Sequence, residues 1–215
     1  MTDDRRSSNA VSTSSMRPLK HFTLWRLGLA APETQTTAAE RAALADLADG
    51  RRRLVEIGVW HGVTTARLRQ AMAADGVLFA VDPFPRGRLG VSLQQPIARA
   101  EVNRIRRGAV RWLRMTGAEA AARHVRTGEP PVDFIFIDGD HTFEGLQADW
   151  LGWRDLVAPG GLVALHDSHP TPDRPIDEAG SVRYTREVIL RDPAFHVLRV
   201  VDTLTVVERP SASGE

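Results

Sequence analysis

Cysteine is missing from all 215 residues, which excludes a disulfide framework, a thiolate metal site and a thiol nucleophile, and fits a reducing compartment. Lysine is nearly missing as well: Lys20 stands alone, and arginine supplies the rest of the 28 positive charges. Against 27 acidic residues the net charge is only +1, so no overall field gathers nucleic acid or an anionic membrane surface. No apolar run reaches the length of a membrane span, and the opening "MTDDRRSSNAVSTSSM" lacks the apolar stretch of a signal peptide. The expectation is a soluble cytoplasmic protein that binds its partners through local sites. Its hydrophobic content of 42% suits one sizeable core.

Residues 1–16 are polar and charged and read as a disordered tail; 17–210 read as one domain, and 211–215 as a second tail. In "TTAAERAALADLADG", Thr37 and Glu40 form a capping box and Gly50 a stop, so a helix precedes the first strand. Strand-like and helical segments then alternate. Strands are expected at 53–58, 77–82, 110–115, 132–138 and 161–167, with helices at 63–75, 96–107, 118–125, 142–157 and 181–191. "FHVLRVVD" and "LTVVERP" close as a hairpin. Near-continuous apolar strands separated by helices predict an α/β fold: a doubly wound, Rossmann-like, seven-stranded sheet, mostly parallel, with helices on both faces. Ligands then belong at the strands' carboxyl ends. Phe143, Leu146, Trp150, Trp153 and Val157 recur at helical spacing and read as one buried face. The arginines of "NRIRRGAVRWLR" read as solvated.

At the first strand-to-helix junction, "LVEIGVWHGVTT" spaces Gly58 and Gly62 as G-x-x-x-G, not as the dinucleotide fingerprint. Glu56 places a carboxylate beside the turn, which suits a cationic ligand better than a pyrophosphate. Asp82 ends the next strand, where an acid can accept both hydroxyls of a ribose. The structural alternatives are a plain tight turn at the glycines and an Asx turn at Asp82 before Pro83.

Through "VEIGVWHG", "FAVDPF", "VDFIFIDGDH" and "LVAPGGLVALHD", over about residues 50 to 168, the chain resembles the class I S-adenosylmethionine-dependent methyltransferases. The resemblance implies that Glu56, Gly58 and Gly62 lie against the amino-acid end of S-adenosylmethionine, with Thr64 and Trp60 beside them and Asp82 on the ribose. Gly117 and Ala118 of "MTGAEAA" correspond to the adenine-side loop, and Asp138 closes the cofactor set.

A second cluster collects where "IDGDH" and "LHDSH" end neighbouring strands, roughly 4.8 Å apart. Carboxylates favour magnesium or manganese, whereas histidines shift the preference toward transition ions. The pattern resembles the metal-dependent O-methyltransferases, especially those acting on sugars. The resemblance implies that Asp138, His166 and Asp167 hold a divalent metal, magnesium or manganese, and that His169 is the base, with His141 second. Here a His-Asp pair stands where that family carries two acids. Asp140 has a structural reading as a helix cap and His141 as a turn residue.

The expected function is S-adenosylmethionine-dependent, metal-assisted O-methylation of a hydroxyl on a sugar or glycoside, either a polysaccharide or a glycosylated metabolite. A nicotinamide-dependent oxidoreductase, a non-catalytic S-adenosylmethionine-binding protein and a small RNA methyltransferase are the competing readings. The acceptor is a small molecule or oligosaccharide, without nucleic acid or membrane partners. A homodimer is expected through residues 17–36, where Phe22, Leu24 and Trp25 have no obvious place in the sheet.

Overall fold

The computed structural model describes residues 18–87 and 90–211; the expected tail at 1–16 and, apart from Ser211, that at 211–215 lie outside the described residues. Seven strands, β1 (Arg53–Ile57), β2 (Val77–Val81), β3 (Ala109–Leu113), β4 (Val132–Ile137), β5 (Val157–Leu165), β6 (His196–Val201) and β7 (Leu204–Glu208), form one sheet. Their order is β3-β2-β1-β4-β5-β7-β6. The pairs β3·β2, β2·β1, β1·β4 and β4·β5 are parallel, and β7 is antiparallel to both β5 and β6.

Helices α1 (Pro18–Arg26) and α2 (Ala38–Ala48) precede the sheet. The crossovers are α3 (Val63–Ala71), α4 (Gln94–Asn103), α5 (Gly117–Arg126) and α6 (Phe143–Trp153), and α7 (Gly180–Glu187) leads to the hairpin. The capping box at Thr37 and Glu40 forms as expected and starts α2. Thr116 and Glu119 build a second one at α5, satisfying first-turn N–H groups that have no partner within the helix.

The central strands are apolar on both sides because each face is covered. On one face Val55, Ile57, Ile135 and Val163 pack with Trp150, Trp153 and Tyr184 from α6 and α7. On the other, Leu54, Phe134 and Phe136 meet Leu44, Leu68 and Met72 from α2 and α3. Leu146, Trp150, Trp153 and Val157 are buried as their spacing predicts, with Phe143 half-buried against them. Since β1 connects toward β2 and the chain returns through α5 to β4 on its other side, the connections diverge at the β1/β4 boundary. A crevice opens there at the carboxyl ends.

Candidate active site

Three residues with positive φ shape the first turn: Gly58 at 88°, Trp60 at 52° and Gly62 at 77°. Gly58 permits a backbone approach as well as a dihedral, because a Cβ there would stand 1.9 Å from the carbonyl oxygen of Asp138. We expect Gly58→Ala to destabilise the fold by about 2 kcal/mol or more, since strain and a clash with backbone combine. A thermal melt unchanged from wild type would show that the turn tolerates both.

Trp60 holds a left-handed conformation uncommon for a bulky residue, and Asp82 is what secures it. One Asp82 oxygen accepts the N–H groups of Val59 (3.0 Å) and Trp60 (3.1 Å), and the other accepts that of Phe84 (2.6 Å). Asp82 therefore forms the Asx turn and also lines the crevice. Its remaining acceptor capacity can face a ligand.

The crevice is a cleft of about 630 Å³. Glu56, Gly58, Trp60, Thr64, Asp82, Gly117, Ala118, Asp138 and His141 all reach its wall, so one surface brings together the residues assigned to the cofactor except Gly62, which packs against the Ala98 backbone of α4 instead. Glu56 is fully buried, and neither of its oxygens has a hydrogen-bond partner among the described residues. Burial pushes its pKa well above the ordinary carboxylate range; the Thr65 hydroxyl pulls the other way, and the charges of Asp138 and Asp82 add to the rise. An isolated buried carboxyl is costly unless something at the site compensates it.

Beyond the turn, the parallel register pairs Ile137 with Leu165, which sets His166 opposite Asp138. Asp167 follows beyond the end of β5, in a turn where its φ is 48°. His166 Nδ1 lies 2.8 Å from Asp138, His166 Nε2 lies 3.5 Å from Glu40, and His141 Nε2 lies 3.4 Å from Asp138. Neither nitrogen of the buried His166 ring has an aligned hydrogen bond. Burial disfavours its charge, yet Asp138 and Glu40 push its pKa up to about 10. Burial likewise opposes ionisation of Glu40, but contacts from His166, Thr203 and Thr37 bring its pKa to about 2. Burial of Asp138 is outweighed in the same way by His141 and His166, and its pKa lies below the ordinary value.

Asp138, His141 and His166 each offer a ligand atom within 4.8 Å of the others. Asp167 stands outside that group but beside it, one carboxylate oxygen 3.9 Å from His166 Nε2. Its carboxylate pairs with the Arg174 guanidinium, and its carbonyl accepts the Ser181 hydroxyl at 2.6 Å. His169 is exposed and outside the cleft lining, its backbone N–H donating to Thr203. Asp140 accepts the Thr142 N–H at 2.9 Å, while Thr142 itself caps α6.

A model of the family described as a methyltransferase domain matches residues 55–168, more than half of the chain and all of the strands that build the cleft. The chain belongs to that methyltransferase family. Among solved structures, this methyltransferase is similar to an O-methyltransferase from Bacillus cereus in complex with SAH, at 19% identity and TM-score 0.62, over 92% of this chain and 93% of that one. It is also similar to TomG of Streptomyces achromogenes, an O-methyltransferase of tomaymycin synthesis in complex with SAM, at 16% identity and TM-score 0.63, over 94% and 93%. An rRNA methylase from Streptococcus thermophilus aligns at 11% identity and TM-score 0.54, over 80% and 95%. At such identities these likenesses establish the fold.

Five residues at the site had no functional signal in the sequence. Glu40 was legible only as a capping residue, yet it also contacts His166 and accepts the Thr203 N–H and hydroxyl at 3.0 and 2.7 Å. Glu33, Thr34 and Gln35 form a wall of the cleft from an irregular stretch before α2. Asp149 enters from α6, on a helix that reads as core.

Proposed function

We propose that this methyltransferase transfers the methyl group of S-adenosylmethionine to a hydroxyl of a sugar or glycoside, assisted by a divalent ion. The observation that carries the cofactor is Glu56, a wholly buried carboxyl with no aligned hydrogen bond among the described residues and only the Thr65 hydroxyl favouring its ionised form, at the floor of a cleft whose wall also carries an acid suited to a ribose. An α-ammonium is a fitting occupant beside Glu56: it restores the ionised form and satisfies oxygens that otherwise have nothing to accept from. Bound there, S-adenosylmethionine supplies an electrophilic methyl whose leaving thioether is neutral, so the protein has only the acceptor's proton to manage.

His141 receives that proton in this reading. Its ring is partly exposed at the cleft wall, 3.4 Å from Asp138, an arrangement that orients the imidazole toward the cleft. The Trp60 ring and the polar groups of Thr34, Gln35 and Gln94 line the same cleft; a polyhydroxylated acceptor can stack on the one and hydrogen-bond to the others.

The donor set of Asp138 and His166, with His141 nearby, fits a divalent ion once the His166 ring gives up the proton that Asp138 and Glu40 otherwise hold on it, and imidazole with carboxylate favours manganese or a similar transition ion over magnesium. When bound, the ion would polarise the acceptor hydroxyl and lower its pKa. We expect Asp138→Ala to lose the ion and Asp167→Ala to retain it, as read by elemental analysis of dialysed protein. Loss of the ion from the Asp167 variant would restore that residue as a ligand, and wild-type activity undiminished by a chelator would remove the ion from the reaction.

A homodimer is part of the same reading. α1 buries His21 and leaves Leu19 exposed, with Leu27 and Leu29 exposed just beyond it. Sedimentation of a monomer at micromolar concentration would dispose of it.

A further inference from the structure

The chain between α1 and α2 runs along the cleft as an irregular strap, and its residues Glu33, Thr34 and Gln35 are part of the wall. Little holds it there. Among the described residues, a single backbone group of residues 30–35 is hydrogen-bonded: the Glu33 N–H, which donates to His61 Nδ1 at 3.0 Å. Hydroxyl contacts add a Thr34 to Thr36 pair at 2.8 Å and a longer one from Thr36 to Thr64 at 3.4 Å. His61 belongs to the glycine turn but stays out of the cleft lining, and it is buried. We propose that His61 is a positioning residue for the sugar: it ties the strap to the glycine turn and so keeps Trp60 and Glu33 to Gln35 together as one binding wall. The inference rests on the sugar reading above and adds a residue that reading does not use.

Two aromatic rings pack on His61. That of His21, from α1, is stacked on it with centroids 4.8 Å apart and planes 6° from parallel, and that of Trp60 is tilted against it at 5.0 Å. His21 Nδ1 lies in turn 3.2 Å from the Glu33 carboxylate, so α1, the strap and the turn close a circle of contacts around one imidazole. Trp60 needs that support. Asp82 fixes its backbone N–H, whereas its ring, partly exposed in the cleft wall, has His61 as its aromatic neighbour.

The tie depends on which nitrogen of the ring carries the proton. Nδ1 can receive the Glu33 N–H only while it keeps its lone pair, which places the proton of the neutral ring on Nε2. Burial first, and then the charge of His21, hold the His61 pKa down at about 4, so the lone pair is present at neutral pH. Without it the half-buried Glu33 N–H has no partner, and the cost falls on the strap, where no other backbone group of residues 30–35 is bonded. Glu56 stands on β1 and Asp82 just beyond β2, so the cofactor's contacts do not pass through this bond.

The test compares His61→Phe, which keeps a flat ring but cannot receive a hydrogen bond, with His61→Asn, whose amide oxygen can stand near the place of Nδ1. His61→Phe should raise KM for methyl glycosides about fivefold or more, the effect of a half-buried N–H left unsatisfied. Its kcat and its affinity for S-adenosylhomocysteine should stay within about threefold of wild type, the pattern of lost binding rather than lost chemistry. His61→Asn should recover most of the KM. Long-range proton–nitrogen correlation spectra of wild type at neutral pH read the tie without any substitution, and His61 should appear as the neutral ring protonated on Nε2. A proton on Nδ1 overturns the inference; so does a folded Phe variant whose KM is unchanged, or one that loses cofactor affinity as strongly as it loses the glycoside. Wild type that methylates no glycoside overturns the sugar reading and with it the role of His61, an outcome distinct from a proton on Nδ1 because the spectrum needs no sugar.

Discussion

Glu56→Gln is expected to separate stability from binding: the unliganded protein gains stability while affinity for S-adenosylhomocysteine falls about a hundredfold or more. The affinity loss follows from removing one partner of a buried charge pair, which costs about 3–5 kcal/mol. The stability gain follows because an amide never ionises, so the variant escapes the loss of stability that wild type suffers as pH rises toward the raised pKa of Glu56. The sign with pH agrees. A folded pKa raised well above the unfolded value contributes stability that is present below the unfolded pKa and lost as pH rises toward the folded one. Wild-type melting temperature should therefore decline over that interval by more than the Gln variant's. Isothermal titration and melts across pH 4 to 8 read both effects, and a Gln variant that binds like wild type would refute the role of Glu56.

His141→Ala should lower kcat by about 10²- to 10⁴-fold, the range that a positioned proton acceptor contributes, while affinity for S-adenosylhomocysteine and ion content stay near wild type. Both controls follow from geometry: His141 reaches the cleft from a turn rather than from the Glu56 floor, and Asp138 and His166 contact each other without it. Transfer of radiolabelled methyl to a panel of simple glycosides supplies the rate, and added imidazole should restore part of it. If the variant instead loses the ion, His141 is a ligand and not the base. His169→Ala is expected to leave the rate intact, because its exposed side chain lies outside the cleft lining.

Much of the fold was legible because its signals are local. Apolar runs of strand length, the Thr37–Glu40 capping box and the 3-4-3-4 spacing through Trp150 and Trp153 each depend on neighbours within a few positions. The glycine turn was legible for the same reason, since Gly58 and Gly62 satisfy a backbone requirement set by adjacent dihedrals. Element ends were less so. β5 begins at Val157 rather than 161, taking in "APGG" as strand, while the helix expected over 142–157 ends at Trp153 and continues as a short 3₁₀ turn, because long-range pairing decides where a strand starts.

The sequence alone determined the doubly wound sheet, the acid-glycine turn at its carboxyl edge and the collection of acids and histidines at the tips of β4 and β5. Only the tertiary structure decided which of them meet. Inter-strand register sets His166 rather than Asp167 against Asp138, a loop contact turns one Asp167 oxygen to Arg174, Glu40 reaches His166 across 126 positions of chain, and Asp149 backs Gly117 across 32. Periodicity records which face of an element is buried, but the partner across that face is fixed by packing between elements distant in sequence, and no local pattern encodes it.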